Sequence, residues 1–161
     1  MERAEAIFSR WLQLPNLTSL LNIISELCSN IYQHSGDPRG FVMIQRYQHY
    51  SLNQVEVILA AGDLGMGIRG SLAAKHPELG NAPLDYIQVA MAGSSSRESG
   101  RGGLGLRVVE ETVGKEGGYV WLRSETAAIR SYGPNRHYPF TDLAAMPGTQ
   151  VVVKFDAPLP D

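Results

Sequence analysis

The sequence lacks several features that would place it in a familiar class of protein. Cys28 is the single cysteine among 161 residues, so the chain cannot form an internal disulfide, and a reducing compartment suits it. The formal net charge is only -2, which argues against a general nucleic-acid binder and against a polybasic membrane surface. The sequence also has no apolar run long enough to span a bilayer and no basic-then-apolar signal pattern. These absences predict a cytoplasmic protein with neither nucleic acid nor membrane as a partner.

The composition is that of a folded domain. Hydrophobic residues make up 43% of the chain and charged residues 19%, which are ordinary values for a globular protein. A chain of 161 residues is long enough to bury a core and short enough for one domain. We find no internal repeat and no interior linker, so we expect a single domain over 1–161 with residues 1–15 as an N-terminal extension.

Hydrophobic periodicity predicts helices and strands along most of the chain. The main predicted elements are helices over 4–12, 16–35, 84–91 and 104–113, and strands over 41–47, 55–60, 119–124, 127–132 and 150–155. Pro15 should end the first helix, and Asn16, Thr18 or Ser19 should cap the second. Cys28 falls among the apolar positions of that second helix, so we expect it to be buried. The closeness of the first two strands favours an antiparallel hairpin.

The second predicted strand ends on a carboxylate followed by two glycines, Asp63, Gly65 and Gly67. A carboxylate at the end of a core strand lies partly out of water, so it needs a hydrogen-bond donor. The glycines remove side chains from a crowded place and permit positive φ. Together these residues predict a shallow floor on which a flat ligand that carries donors lies against Asp63.

The same glycines contain a pattern with a different meaning. Gly65, Gly67 and Gly70 match the spacing of the dinucleotide-binding fingerprint, and they follow a strand. That fold needs a second buried strand ending in an acidic residue about twenty positions later. Residues 75–81 do not form such a strand, and the predicted hairpin argues against a parallel sheet. We therefore set the dinucleotide interpretation aside.

Polar residues recur at one-turn intervals on the long predicted helix. Glu26, Asn30 and His34 are spaced four apart, so they lie on one face. Such a stripe is often no more than the solvated face of a helix. Its chemistry also suits a functional site, because a carboxamide oxygen is a ligand for Mg²⁺ and a carboxylate one turn away can orient a water or a hydroxyl.

A glycine-dense turn opens the helix predicted at 104–113. In Gly100-Arg101-Gly102-Gly103-Leu104-Gly105-Leu106, free backbone N–H groups and the positive end of the helix form a natural phosphate cradle. The segment before it, 93–103, is rich in Ser and Gly, which predicts mobility. The chain has no G-x-x-x-x-G-K-[ST] loop, so a nucleotide would be held in another way.

Two further observations concern possible ligands. Thr149 follows Gly148 at the start of the last strand, and its hydroxyl would lie beside Asp63 if the two strands are neighbours. The alternative is that Thr149 is an ordinary strand residue. The remaining histidines are scattered without metal-ligand spacing, so no zinc site is predicted.

Each motif is weak alone, but their order along the chain resembles a known superfamily. The order is Glu26-x-x-x-Asn30 on a helix, Asp63-x-Gly65-x-Gly67 after a strand, a Ser/Gly-rich segment, Gly103-x-Gly105 at a helix start, and Gly148-Thr149 before a final strand. This resembles the GHKL superfamily of ATP-binding domains, which includes gyrase, histidine kinases, mismatch-repair ATPases and the anti-sigma-factor serine kinases. The resemblance covers about 17–155.

The resemblance implies the Bergerat fold, a two-layer α/β (α+β) sandwich whose mixed, mostly antiparallel sheet is covered on one face by helices. It also implies roles for single residues. Asp63 would accept the adenine amino group, Gly65, Gly67 and Thr149 would complete the base pocket, Asn30 would hold Mg²⁺, and Glu26 would be the general base. Gly103 and Gly105 would cradle the phosphates, and Gly102, Leu104 and Leu106 would also contact the nucleotide. The lid region would be 68–103, in which residues 94–102 form the mobile lid with Arg97 and Arg101 as its cations. His34 is a further candidate for nucleotide contact, with its role open.

The implied function is binding of ATP or ADP with Mg²⁺ and transfer of the γ-phosphoryl group to a protein partner. The short domain and the sequence from Glu26 to Asn30 are nearest in style to the anti-sigma-factor serine kinases, and a homodimer is possible. The alternative is an ATPase or a nucleotide-gated interaction module without kinase activity. Histidine kinases carry a phospho-accepting helical hairpin upstream, which residues 1–16 are too short to form.

Overall fold

The computed structural model describes residues 2–37, 39–93 and 105–160. Helices in these ranges are α1 (Glu2–Phe8), α2 (Leu14–His34), α3 (Gly67–Leu72), α4 (Pro83–Met91) and α5 (Gly105–Lys115), with short 3₁₀ turns at Tyr50–Leu52 and Pro77–Leu79. The strands are β1 (Gly40–His49), β2 (Gln54–Asp63), β3 (Tyr119–Glu125), β4 (Ala127–Ser131), β5 (His137–Phe140) and β6 (Met146–Pro158). None of the helices in the described ranges has the length and apolar character needed to cross a membrane.

The strands form one sheet in the order β1-β2-β6-β3-β4-β5. The predicted hairpin of β1 and β2 is confirmed, with Gly40 opposite Asp63 and His49 opposite Gln54. Where the sequence predicted a mixed sheet, every strand pair in the described residues is antiparallel. The last strand inserts between β2 and β3, and this insertion brings its first residues to the end of β2 that carries Asp63.

Helices cover one face of this sheet, as predicted. Buried side chains alternate with partly exposed ones along β2, β3 and β6, which is the pattern of strands with one face on a core. Almost the whole length of the chain contributes residues to the core, from Phe8 at the end of α1 to Ala157 near the end of β6. Leu12 is also buried in it, so the segment predicted as an N-terminal extension packs onto the domain. The two-layer α/β sandwich is confirmed.

The start of α2 differs from the prediction. Pro15 does not end the first helix but lies in the first turn of α2, which begins at Leu14. Proline is tolerated there because the first N–H groups of a helix have no intrahelical partner. The predicted side-chain caps are wrong, since Gln13 is the N-cap residue and makes no side-chain capping bond. Asn16 is instead buried, and its Nδ2 donates to Glu116 Oε2 at 2.9 Å.

The prediction that Cys28 is buried is also wrong, because its side chain is exposed. The buried stripe of α2 consists of Leu17, Leu20, Ile23 and Leu27, together with Asn16. Cys28 follows Leu27 directly, and successive residues are about 100° apart around a helix. Cys28 therefore points away from the core, although it falls among apolar positions in the sequence.

Candidate functional site

A cavity lies between α2, the adjoining ends of β2 and β6, and helices α3 and α5. Leu27, Ile31, Ala61, Ile68, Leu72 and Val151 give it apolar walls. Seven of the residues selected from the sequence also line it, namely Asn30, His34, Asp63, Gly67, Gly105, Leu106 and Thr149. The fold thus brings together polar groups from separate segments in a largely apolar cleft, which is the usual character of a small-molecule site.

Asp63, the last residue of β2, supplies a carboxylate that is only 5% exposed. Burial raises the pKa of this carboxyl above its ordinary value, and hydrogen bonds from the backbone N–H groups of Gly65 and Thr149 oppose that rise. The N–H of Gly65 donates to Oδ1 at 2.8 Å. A carboxylate offers about four lone-pair sites. The two backbone donors therefore leave Asp63 able to accept a hydrogen bond from a ligand.

The two strand ends approach each other so closely that glycine is needed at Gly148. Its φ is +71°, and a Cβ at this position would collide with the backbone of Asp63. Gly67 at the start of α3 also has a φ of +71°, and a Cβ there would lie 2.8 Å from Ser124 Oγ. Any other residue would be strained at both positions and would push apart the walls of the cavity.

Gly65 does not line the cavity, but it allows the turn after Asp63 to pack closely against the end of α2. A Cβ at this position would collide with the backbone carbonyl of Ser35, at the end of α2. That carbonyl accepts the N–H of Met66 at 2.8 Å. The turn after Asp63 is therefore packed against the end of the helix that carries His34, and His34 is one of the residues that line the cavity.

Ser124 also belongs to the site, although it is part of none of the sequence motifs. It is 1% exposed at the end of β3. Its Oγ accepts the N–H of Ile68 at 3.0 Å and donates to the carbonyl of Gly148 at 3.1 Å. One hydroxyl thus ties the start of α3 to the start of β6. The sequence carried a signal for it, because Ser124 is a polar residue at a position of β3 that should face the core.

Glu26 and Asn30 lie on the side of α2 that faces the start of α5. A Cβ on Gly105 would collide with Glu26 Oε2 and would lie 3.7 Å from Asn30 Nδ2. Asn30 Nδ2 is buried and has no hydrogen-bond partner among the described residues. An unsatisfied buried amide is costly, so this group is suited to a ligand in the cavity. Glu26 does not line the cavity but adjoins it through Gly105.

Part of the predicted site lies outside the described residues. This applies to Arg97, Arg101 and 102–104. The predicted lid region 68–103 needs correction in its described part, because residues 68–93 include α3 and α4, which pack in the core. Tyr86 and Ile87 of α4 are among its most buried side chains. Residues packed in this way are not expected to open as a lid.

The chain matches the model of a known protein family. The model of one protein family, described as histidine kinase-, DNA gyrase B-, and HSP90-like ATPase, matches residues 16–159. The match extends from the first turns of α2 to the end of β6, so it includes every described residue of the cavity. No curated protein matches the chain.

Proposed function

Because the chain belongs to the family of histidine kinase-, DNA gyrase B- and HSP90-like ATPases, whose ligand is ATP, we propose that the cavity beside Asp63 is its ATP site. The position of Asp63 carries this proposal. Adenine is flat, and its amino group is a hydrogen-bond donor that matches a buried carboxylate with spare acceptor capacity. Asp63 accepts the amino group, and Gly67 and Thr149 flank the base in the narrow space between α3 and β6.

The phosphates lie toward the start of α5. This helix runs from Gly105 to Lys115, and Gly105 and Asn30 both line the cavity. The first N–H groups and the positive end of the helix would therefore be available to phosphates placed there. Leu106 lines the cavity beside Gly105. Since a side chain at position 105 would meet Glu26, the glycine keeps this approach open to a phosphate.

The side chains of the site are suited to bind Mg²⁺ only together with the phosphates of a bound nucleotide. The described ranges contain no cluster of three His, Cys, Asp or Glu side chains that could hold a metal ion alone. Mg²⁺ is commonly bound through one or two protein oxygens plus substrate phosphates. Asn30 fits this role, because its buried amide lacks a partner and its oxygen and nitrogen can exchange places. When bound there, the ion would neutralise charge on the phosphates.

The reaction that we propose is transfer of the γ-phosphoryl group to a hydroxyl of a protein partner. The acceptor oxygen forms a bond to the γ-phosphorus, the bond to the bridging oxygen breaks, and ADP leaves. Glu26 takes the proton of the acceptor hydroxyl, because its carboxylate lies beside the phosphate end of the cavity. Positioning supplies most of the catalysis in this chemistry.

The alternative function is an ATPase or a nucleotide-gated interaction module. The same Glu26 carboxylate could activate water as well as a hydroxyl, so the geometry favours neither acceptor. The test is to incubate the protein with γ-labelled ATP in an extract of its source cells. Label on a protein band with wild type but not with Glu26→Ala supports the kinase. Release of inorganic phosphate alone supports the ATPase, and binding without either product supports the gated module.

A further inference from the structure

The sheet has a second face, opposite the helices, and part of it carries an unusual group of side chains. On β3, the side chains of 119, 121 and 123 alternate with buried ones and so point to this face. Cross-strand pairing places Arg130 beside Trp121 and beside Tyr138. We call this surface the arginine–aromatic face and define it by Tyr119, Trp121, Arg123, Arg130, Tyr138 and Phe140.

Arg130 lies at the centre of this face. Its guanidinium carbon is 5.2 Å from the ring centroid of Trp121, 5.4 Å from that of Tyr119 and 5.9 Å from that of Phe140. Its Nε is buried and has no hydrogen-bond partner among the described residues. A guanidinium has five N–H donors, and aromatic rings do not replace a hydrogen-bond acceptor, so at least this N–H of Arg130 lacks one.

Two more arginines extend the positive charge. Arg123 also has a buried Nε without a described partner, although its Nη2 donates to the carbonyl of Ala144. Arg136 lies over Tyr132, with 4.8 Å from its guanidinium carbon to the ring centroid. None of these three arginines takes part in an ion pair in the described part of the chain.

The sequence explains why the charge is uncompensated. Residues 126–140 contain no Asp or Glu, and neither do residues 119–124, although the whole chain has a net charge of -2. The positive charge of this face is therefore local. Phe140 is 36% exposed and Tyr138 46%, so apolar surface surrounds the cations.

We propose that the arginine–aromatic face docks an acidic segment of a partner protein. Carboxylates match the planar donors of a guanidinium better than any other protein group. Trp, Tyr and Arg are also the residues most enriched where binding energy is concentrated in protein interfaces. The face lies on the opposite side of the sheet from the ATP cavity, so the proposal does not rest on the proposed function.

Other occupants fit this face less well. A second copy seated face to face would set arginines against arginines. Single-stranded nucleic acid binds by stacking bases on open aromatic rings. Here the rings pack on one another, with 4.8 Å between the centroids of Trp121 and Phe140, and Arg130 lies over the faces that remain.

The probe is a fluorescein-labelled peptide of alternating glutamate and leucine, and its matched control has glutamine in place of glutamate. Binding to the full chain is followed by fluorescence anisotropy at low and high salt. Arg130→Gln removes the central charge and keeps most of the side-chain volume. Arg10→Gln removes the same charge from an exposed site near the N-terminus and is the matched control. Far-ultraviolet circular dichroism and thermal unfolding of each variant verify that the fold is intact, without reference to the ATP site.

We expect the glutamate peptide to bind wild type and Arg10→Gln alike, to bind Arg130→Gln about tenfold more weakly, and to lose affinity as salt is raised. Absence of binding, or equal affinity for both peptides, would overturn the proposal. Displacement of the peptide by oligothymidylate would assign the face to nucleic acid. Sedimentation showing a dimer that Arg130→Gln dissociates would assign it to a second copy. Both of these results also overturn the proposal.

Discussion

The carboxylate of Glu26 occupies the space that a side chain at position 105 would need, since a Cβ on Gly105 would collide with Glu26 Oε2. This relationship joins the middle of α2 to the first residue of α5. It sets the acid of one helix beside the N-terminus of the other, with Asn30 one turn further along α2. Three residues from two helices therefore define the end of the cavity where we propose that the phosphates bind.

Gly105→Ala should slow turnover more than it weakens ATP binding. The new methyl group displaces the Glu26 carboxylate, which is the movable end of a flexible side chain, so the fold can accommodate the change. Alanine also favours a helix over glycine by about 1 kcal/mol, so thermal stability should be unchanged or slightly higher. Val108→Ala, at an exposed position of the same helix, is the control. Normal turnover in Gly105→Ala would refute this account of the glycine.

Glu26→Ala should bind ATP normally and lower turnover by a factor of roughly 10²–10⁴, the usual contribution of a general base. Calorimetry measures the affinity, and release or transfer of labelled phosphate measures the rate. Asn22→Ala, at an exposed position one turn earlier on α2, should change neither. If Glu26→Ala lost binding and turnover to the same degree, Glu26 would be structural.

Ser124→Ala should lower the free energy of unfolding by about 1–3 kcal/mol, because it leaves two buried backbone groups without a partner. These groups, the N–H of Ile68 and the carbonyl of Gly148, lie beside the proposed ATP site, so affinity for ATP should fall as well. Denaturant unfolding and calorimetry measure the two effects. Ser9→Ala, at an exposed position, is the control. Full retention of affinity in Ser124→Ala would mean that the hydroxyl supports the fold alone.

The burial of Asp63 should be visible in the pH dependence of stability. Burial raises the pKa of its carboxyl in the folded protein above the ordinary value of 3.8. Between these two pKa values the folded state binds more protons than the unfolded state, so this group's contribution to stability falls as pH rises. Without ligand, wild type should therefore lose stability relative to Asp63→Asn as pH rises from 3.8 through the raised pKa. A difference that is constant with pH, or of opposite sign, would contradict this.

The parts of the fold that follow from local pattern were predictable from sequence. Alternation of apolar residues located β2, and four-residue spacing placed Glu26 and Asn30 on one face of α2. We expected Thr149 to lie beside Asp63 only if their two strands were adjacent in the sheet. The pairing of β6 with β2 confirms that the strands are adjacent. Periodicity and motif order therefore identified seven of the residues that line the cavity.

What sequence could not supply was set by packing between distant segments. Cys28 has apolar neighbours, but the rotation of α2 on the sheet turns it outward. The sequence marks Ser124 only as a polar residue on the core side of β3, and its role depends on the meeting of α3 and β6 at its hydroxyl. The surroundings of Arg130 were equally hidden, because its aromatic partners come from two different strands, β3 and β5.

The most direct test of the proposed ATP site is calorimetric titration of ATP and ADP, with Mg²⁺, into wild type and Asp63→Asn. Asparagine has nearly the volume of aspartate but one acceptor oxygen fewer, and its amide nitrogen would face the adenine amino group with a donor. We expect wild type to bind and Asp63→Asn to remain folded without binding. Equal affinity in the two proteins would contradict the assignment of Asp63 as the adenine acceptor.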